Sequence, residues 1–119
     1  MAVEQLVHAQ VARLSTADLA RSLQEVLGQR LVAVIAGVRD HKAVGEWARG
    51  TRQPHPASAQ RLRQAYQVTR LLLEAEETDT VRAWFMGMDP LLDDRAPALV
   101  LRDDPAAVLR AARAFRAGA

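Results

Sequence analysis

The histidines and the adjacent carboxylates are the side chains best suited to chemistry, and neither set has the spacing of a catalytic or metal site. His8, His41 and His55 fall on three different predicted segments, and no two of them have the i, i+4 spacing that places two metal ligands on one helical face. The aspartates at 93–94 and 103–104 are consecutive, so their carboxylates point apart, and roles in turns or helix caps explain them. The sequence also has no cysteine. We therefore expect no catalytic residue, no metal ion and no cofactor, and a protein that is not an enzyme.

The lysines and arginines are the second set of candidates, and they are concentrated in the middle of the chain. Residues 30–70 carry eight basic and two acidic side chains, a net charge of +6, whereas residues 71–119 carry six basic and nine acidic side chains, a net charge of −3. A basic middle favours contact with a polyanion, and the acidic part favours a different partner. The alternative is that the arginines only solvate helix faces.

The elements that must position these side chains are predicted to be helices. Half of the residues are hydrophobic but only 4% are aromatic, so leucine, valine and alanine must build the core. No strand-like alternation occurs, and we expect an all-α protein. Cap residues and apolar spacing predict helices that begin at Thr16 after Ser15, at Gln29 before Gly37, at Asp40 before Gly50, and at Pro105 after Asp104. They also predict a long helix from about Ala59, after Ser58, to Glu77 and a shorter one from about Thr80 to Gly87.

The two short helices in the middle, joined by a glycine turn and followed by a long helix, have the layout of a helix-turn-helix. Val32 and Ile35 would face inward from the first helix, and Val44 and Trp47 from the second. The turn at Gly37 is one residue longer than the tightest spacing, and any three-helix lobe would share the apolar pattern, so the charge excess is what favours DNA binding. The predicted DNA contacts are Arg39, His41, Lys42, Arg49 and Arg52.

Three motifs suggest a family. They are VGEWARGTRQPHP at residues 44–56, the Arg61-Leu62 opening of the long helix, and AWFMGMDPLLDDRAPALVL at residues 83–101 followed by a last apolar helix. With these motifs the chain from about Leu27 to Gly118 resembles the Xre/MbcA/ParS antitoxin family. One departure is that the family often has glycine before its last helix, where this chain has two aspartates.

The resemblance implies an Xre-like helix-turn-helix domain over residues 1–77 and a toxin-binding domain over residues 78–119. It also implies a partner encoded in the same operon, a RES-domain toxin that degrades NAD and whose active site the antitoxin blocks. The antitoxin would self-associate as a homodimer or in a larger complex with the toxin, and would bind operator DNA for autoregulation. The candidate toxin contacts are Trp84, Met88, Arg110, Arg113, Phe115 and Arg116.

The sequence leaves a second function open. The chain could instead be a stand-alone helix-turn-helix transcriptional regulator whose C-terminal lobe only dimerises. A toxin gene beside the gene of this protein would distinguish the antitoxin from the regulator.

The first eleven residues lack the basic start of a signal peptide, and the longest apolar run, residues 31–38, is far shorter than the about 20 residues of a membrane-spanning helix. We expect a cytoplasmic protein with no membrane partner.

Overall fold

Cap residues and helical propensity divide the chain into short helices, which a computed structural model describes over residues 2–6 and 13–118. This part of the chain contains no strand, which confirms the predicted all-α class. Residues 3–6 are helical, and an isolated β-bridge joins Asp89 to Arg95. The remaining helices are α1 (Thr16–Leu27), α2 (Gln29–Ala36), α3 (Lys42–Arg49), α4 (Pro56–Leu73), α5 (Thr78–Met86), a 3₁₀ helix (Pro90–Leu92), α6 (Pro97–Val100) and α7 (Pro105–Arg116).

Several helix ends are confirmed where the sequence predicted them. The Ser15 hydroxyl oxygen accepts the N–H of Asp18 at 3.1 Å and caps α1. Gly37 ends α2 and Gly50 ends α3, both with left-handed backbone angles (φ of 82° and 74°) that other residues adopt only at a cost. Asp104 caps α7 by accepting the N–H of Ala107 at 3.1 Å, so the aspartate before this helix serves as an ordinary N-cap.

The start of the long helix α4 differs from the prediction. It begins at Pro56 rather than Ala59, because proline in the first helical turn loses no hydrogen bond and has a suitable backbone angle. Ser58 is therefore inside the helix and is not its cap. Its buried hydroxyl donates instead to the carbonyl oxygen of Ala36, at 2.9 Å, and so links α4 to the C-terminal end of α2.

Three other predicted boundaries were wrong by a few residues. Helix α3 begins at Lys42 rather than Asp40, although the Asp40 carboxylate still accepts the N–H of Lys42 at 3.0 Å. Helix α4 ends at Leu73 rather than Glu77, and α5 begins at Thr78 rather than Thr80. For α3 the buried face is the predicted one, with Val44 and Trp47 in the core, because apolar spacing fixes the face of a helix more firmly than its ends.

One hydrophobic cluster runs through the described chain and crosses residue 77. Helix α3 packs chiefly on α1, while the later helices return to the first ones: α5 packs on α1, α6 on α2 and α7 on α4. The division at residue 77 stays a prediction. No helix in the described part is both long enough and apolar enough to cross a membrane.

Three arginines link later parts of the chain to the ends of earlier helices. Each donates to a carbonyl oxygen in the last turn of a helix, where free carbonyls and the helix dipole attract a cation. Two of them donate from both the ε and an η nitrogen. The pairs are Arg61 Nη1 with Ala36 (3.0 Å), Arg82 with Val26 (3.2 and 2.9 Å), and Arg102 Nε with Val34 (2.8 Å).

Candidate DNA-binding and partner-binding surfaces

Helix α3 lies with one face in the core and the other in solvent. Val44 is fully buried and Trp47 is only 3% exposed, as predicted, so both point back toward α1 and α2. Lys42 and Arg49 are exposed on the opposite side. The apolar residues of α3 therefore fix which basic side chains face solvent.

A shallow groove of about 310 Å³ separates α3 from the first residue of α2. Gln29, Lys42, Glu46 and Arg49 form its walls, and Gly45 forms its floor. A Cβ at Gly45 would lie 2.9 Å from Nε2 of Gln29 and 3.3 Å from Nη1 of Arg49, so the ends of these two flexible side chains would have to shift to admit it. Glycine thus leaves room beside the helix for the ends of both polar side chains. Beside the carboxylate of Glu46, the groove combines two cations with an amide, a set of donors that can contact phosphate oxygens.

The other predicted DNA contacts lie at the two ends of α3. Arg39 is exposed in the turn before the helix, and His41 is partly buried immediately before its first residue. Arg52 is exposed in the loop after it, with Nη1 3.6 Å from a carboxylate oxygen of Glu46. The structure therefore brings Lys42 and Arg49 into one groove, while part of the charge of Arg52 is offset by its neighbour.

A second groove, of about 410 Å³, lies between α5, the loop that follows it, and α7. Asp89 organises this loop: one carboxylate oxygen accepts the N–H of Leu91 at 2.8 Å, and the other accepts the indole N–H of Trp84 at 3.2 Å. Asp93 and Asp94 follow with left-handed backbone angles (φ of 56° and 59°) that reverse the chain. The lining residues are Trp84, Met88, Asp89, Pro90, Leu91, Ala111, Ala114 and Phe115.

This apolar groove contains three of the predicted toxin contacts. Trp84 is 8% exposed and forms the floor, with its ring centroid 5.2 Å from Phe85 and 6.2 Å from Phe115. Met88 is 79% exposed at the rim. Leu91, which is 65% exposed beside it, was not among the predicted contacts. The sequence offers two consecutive leucines after Pro90, and only the 3₁₀ turn decides that the first faces solvent and the second the core.

The three arginines predicted on the last helix are exposed, but they differ in their surroundings. Arg113 donates from Nε to a carboxylate oxygen of Glu4 at 2.5 Å, an ion pair between residues 109 positions apart. Arg113 therefore already has a partner within the chain, and its contact with a toxin stays a prediction. The described residues form no such pair with Arg110 or Arg116.

The described residues include no group of three histidine, aspartate or glutamate side chains arranged to hold a metal ion. His41 and His55 lie at the N-terminal ends of α3 and α4, and His8 lies outside the described residues.

Comparison with known proteins found no match to a protein-family model, to a curated protein or to a solved structure.

Proposed function

We propose that this protein is an antitoxin that binds operator DNA through α3 and a toxin through the groove between α5 and α7. The observation that supports this most is the presence of two unlike surfaces on one core. One is the basic groove at Lys42 and Arg49, and the other is the apolar groove around Trp84, Met88 and Leu91. A protein that must hold both a nucleic acid and a protein partner needs such a pair of surfaces.

Contact with DNA is supported by the packing and the turn contacts that hold α3 in place. Its buried face rests on α1 and α2, and the α2–α3 turn is held by Gly37 and by Arg61 Nη1 on the carbonyl of Ala36. The exposed face then carries cations from the turn before the helix to the loop after it. A rigid helix with an exposed basic edge is what entry into a major groove requires.

Contact with a protein partner is supported by the exposed apolar side chains. Methionine and aromatic residues are enriched at the centres of protein interfaces, where they fill pockets and exclude water. Met88 and Leu91 stand exposed beside the Trp84 and Phe115 rings, and together they offer a partner both a pocket and its rim. The resemblance of the chain from about Leu27 to Gly118 to the Xre/MbcA/ParS antitoxin family supports the further proposal that the partner is a RES-domain toxin, which degrades NAD and is blocked at its active site.

A second candidate function is a stand-alone regulator that uses its C-terminal lobe for dimerisation. A separate apolar hollow of about 320 Å³ favours it, because three exposed side chains meet there: Val34 of α2, Met86 of α5 and Leu99 near the end of α6. This hollow lies between the helix-turn-helix and the later helices. An apolar surface there suits a second copy of the chain as well as it suits another protein.

Coexpression with the product of the adjacent reading frame tests the proposal. The partner carries the affinity tag, and copurification of this chain and rescue of growth are both measured. We expect the wild type to copurify and rescue, and Met88→Asp or Leu91→Asp to weaken binding by about thirtyfold or more, since a buried unpaired charge at an interface centre costs ~2 kcal/mol or more. Met86→Asp is the matched control, the same change on the other apolar surface.

The outcomes separate the two functions. Loss of copurification in the Met88 and Leu91 variants, with retention in Met86→Asp, supports the antitoxin. A wild-type chain that does not copurify, together with a dimer that Met86→Asp dissociates, supports the regulator. Point variants are preferred to deletion of α7, because this helix contributes the buried Val108, Ala111 and Ala112 to the core, and its removal would destabilise the whole fold.

A further inference from the structure

Helix α7 carries a concentration of positive charge that its surroundings do not share. Residues Pro105–Arg116 include three arginines and no acidic side chain, within a part of the chain whose net charge is −3. The arginines recur every third residue, so they occupy one broad side of the helix, and all three are exposed. A cationic face of this kind is complementary to an acidic ligand.

The N-terminal residues lie against this face. Val3 is partly buried against the core, and the Glu4 carboxylate accepts the hydrogen bond from Nε of Arg113. Ala2, Gln5, Gln67 and Leu109 join this pair around a hollow of about 450 Å³. One of the arginines of α7 is therefore already in contact with a carboxylate, supplied from the opposite end of the chain.

This contact is one that a ligand can replace. Both side chains are partly exposed, and an exposed ion pair contributes little to folding because solvent screens it. A competing carboxylate would meet Arg113 in the same geometry that Glu4 has. Leu109 lies in the same hollow and also in a neighbouring one with Val68 and Pro105, so the surface pairs cations with apolar side chains. Such a mixture suits an acidic protein segment better than a phosphate backbone.

We propose that the arginine face of α7 docks an acidic segment of a protein partner, and that Glu4 occupies part of this docking site until the partner displaces it. The proposal extends the partner-binding role proposed above from the apolar groove to the neighbouring helix and rests on that role for its biological meaning. The N-terminal residues then act as an internal competitor that lowers the affinity of α7 for acidic surfaces. A partner that also fills the apolar groove has the additional binding energy needed to displace Glu4.

The test measures binding of fluorescein-labelled hexaglutamate to the full chain by fluorescence anisotropy, at about 10 mM ionic strength, where charge interactions are least screened. We expect Glu4→Gln to bind the peptide about two- to fivefold more tightly than the wild type, the range expected when an exposed ion pair is removed. Glu25→Gln is the matched control, because it removes the same charge from an exposed position on α1. It should leave the affinity nearly unchanged.

A second variant shows whether Glu4 acts through Arg113. Arg113→Gln should weaken peptide binding, and in that background Glu4→Gln should have no further effect, because the two residues form one interaction. Circular dichroism establishes that each variant is folded. Equal effects of Glu4→Gln and Glu25→Gln would overturn the competition, and absence of peptide binding in every variant would overturn the acidic docking site.

The same series with a short DNA duplex distinguishes the class of partner. If Glu4→Gln strengthens binding of the duplex through Arg113 and leaves the affinity for hexaglutamate unchanged, the arginine face serves a nucleic acid and the proposal is wrong. The result is independent of the copurification experiment. An antitoxin can fail this test, and a chain that fails to bind the adjacent gene product can pass it.

Discussion

Replacement of Trp47 tests the helix-turn-helix arrangement, because this side chain fixes which face of α3 points to solvent. Trp47 is 3% exposed in the cluster formed with α1 and α2, and its indole N–H is buried with no hydrogen-bond partner in the described structure. Trp47 therefore makes two opposing contributions to the free energy of unfolding. The ring contributes apolar burial and packing, whereas the unpaired N–H costs about 1–3 kcal/mol of desolvation.

These terms predict different results for two substitutions. Trp47→Ala removes the whole ring and leaves a cavity, so it should lower the free energy of unfolding by about 3–5 kcal/mol and the melting temperature by about 10–20 °C. Trp47→Phe keeps most of the apolar volume and removes the unpaired N–H, so the two effects nearly cancel and the change should be about 1 kcal/mol or less. The phenylalanine variant should also retain DNA binding.

Urea denaturation followed by circular dichroism at 222 nm measures both variants, with the denaturant slope as a check that the unfolded state is unchanged. An alanine variant within about 1 kcal/mol of the wild type would place Trp47 outside the core and reverse the assignment of the solvent face of α3. A phenylalanine variant as unstable as the alanine variant would mean that the indole N–H has a partner. Either result refutes part of the reasoning.

Three other predictions follow from the same structure. Lys42→Ala and Arg49→Ala should each flatten the dependence of log affinity on log salt by about one unit for operator DNA in a gel-shift titration, and an unchanged slope would exclude phosphate contact. Gly37→Ala should lower the melting temperature more than Gly50→Ala. Both substitutions strain a left-handed backbone angle at a cost of about 1–2 kcal/mol, but only at Gly37 would the new Cβ also meet a side chain, at 2.7 Å from Nη1 of Arg61. Arg82→Ala should lower the free energy of unfolding by about 1–2 kcal/mol, because it removes two charge-assisted hydrogen bonds to the end of α1, whereas loss of an exposed arginine of α7 should change it little.

The sequence was sufficient for the elements whose ends are decided locally. Ser15, Gly37 and Asp104 act within three or four residues of their own positions, so their roles follow from local hydrogen bonds and backbone angles. Ser58 is the counterexample, since the same residue type that favours an N-cap donates here to a carbonyl 22 residues earlier. Because α4 already begins at Pro56, Ser58 is not needed as its cap. The hydrogen-bond partner of Ser58, the carbonyl oxygen of Ala36, comes within reach only when α2 and α4 pack together.

The arginines show the same limit and bear directly on function. Net charge along a sequence does not reveal whether the partner of an arginine is a phosphate, a carboxylate or a carbonyl of the same chain. Arg61, Arg82 and Arg102 donate to carbonyls 25, 56 and 68 residues away, and Arg113 to a carboxylate 109 residues away. The charge excess of residues 30–70 therefore overstates the surface available to DNA, because Arg61 is committed to the end of α2. What remains around the groove of α3 is a smaller and better-defined set of cations, and the salt dependence of its variants measures that set directly.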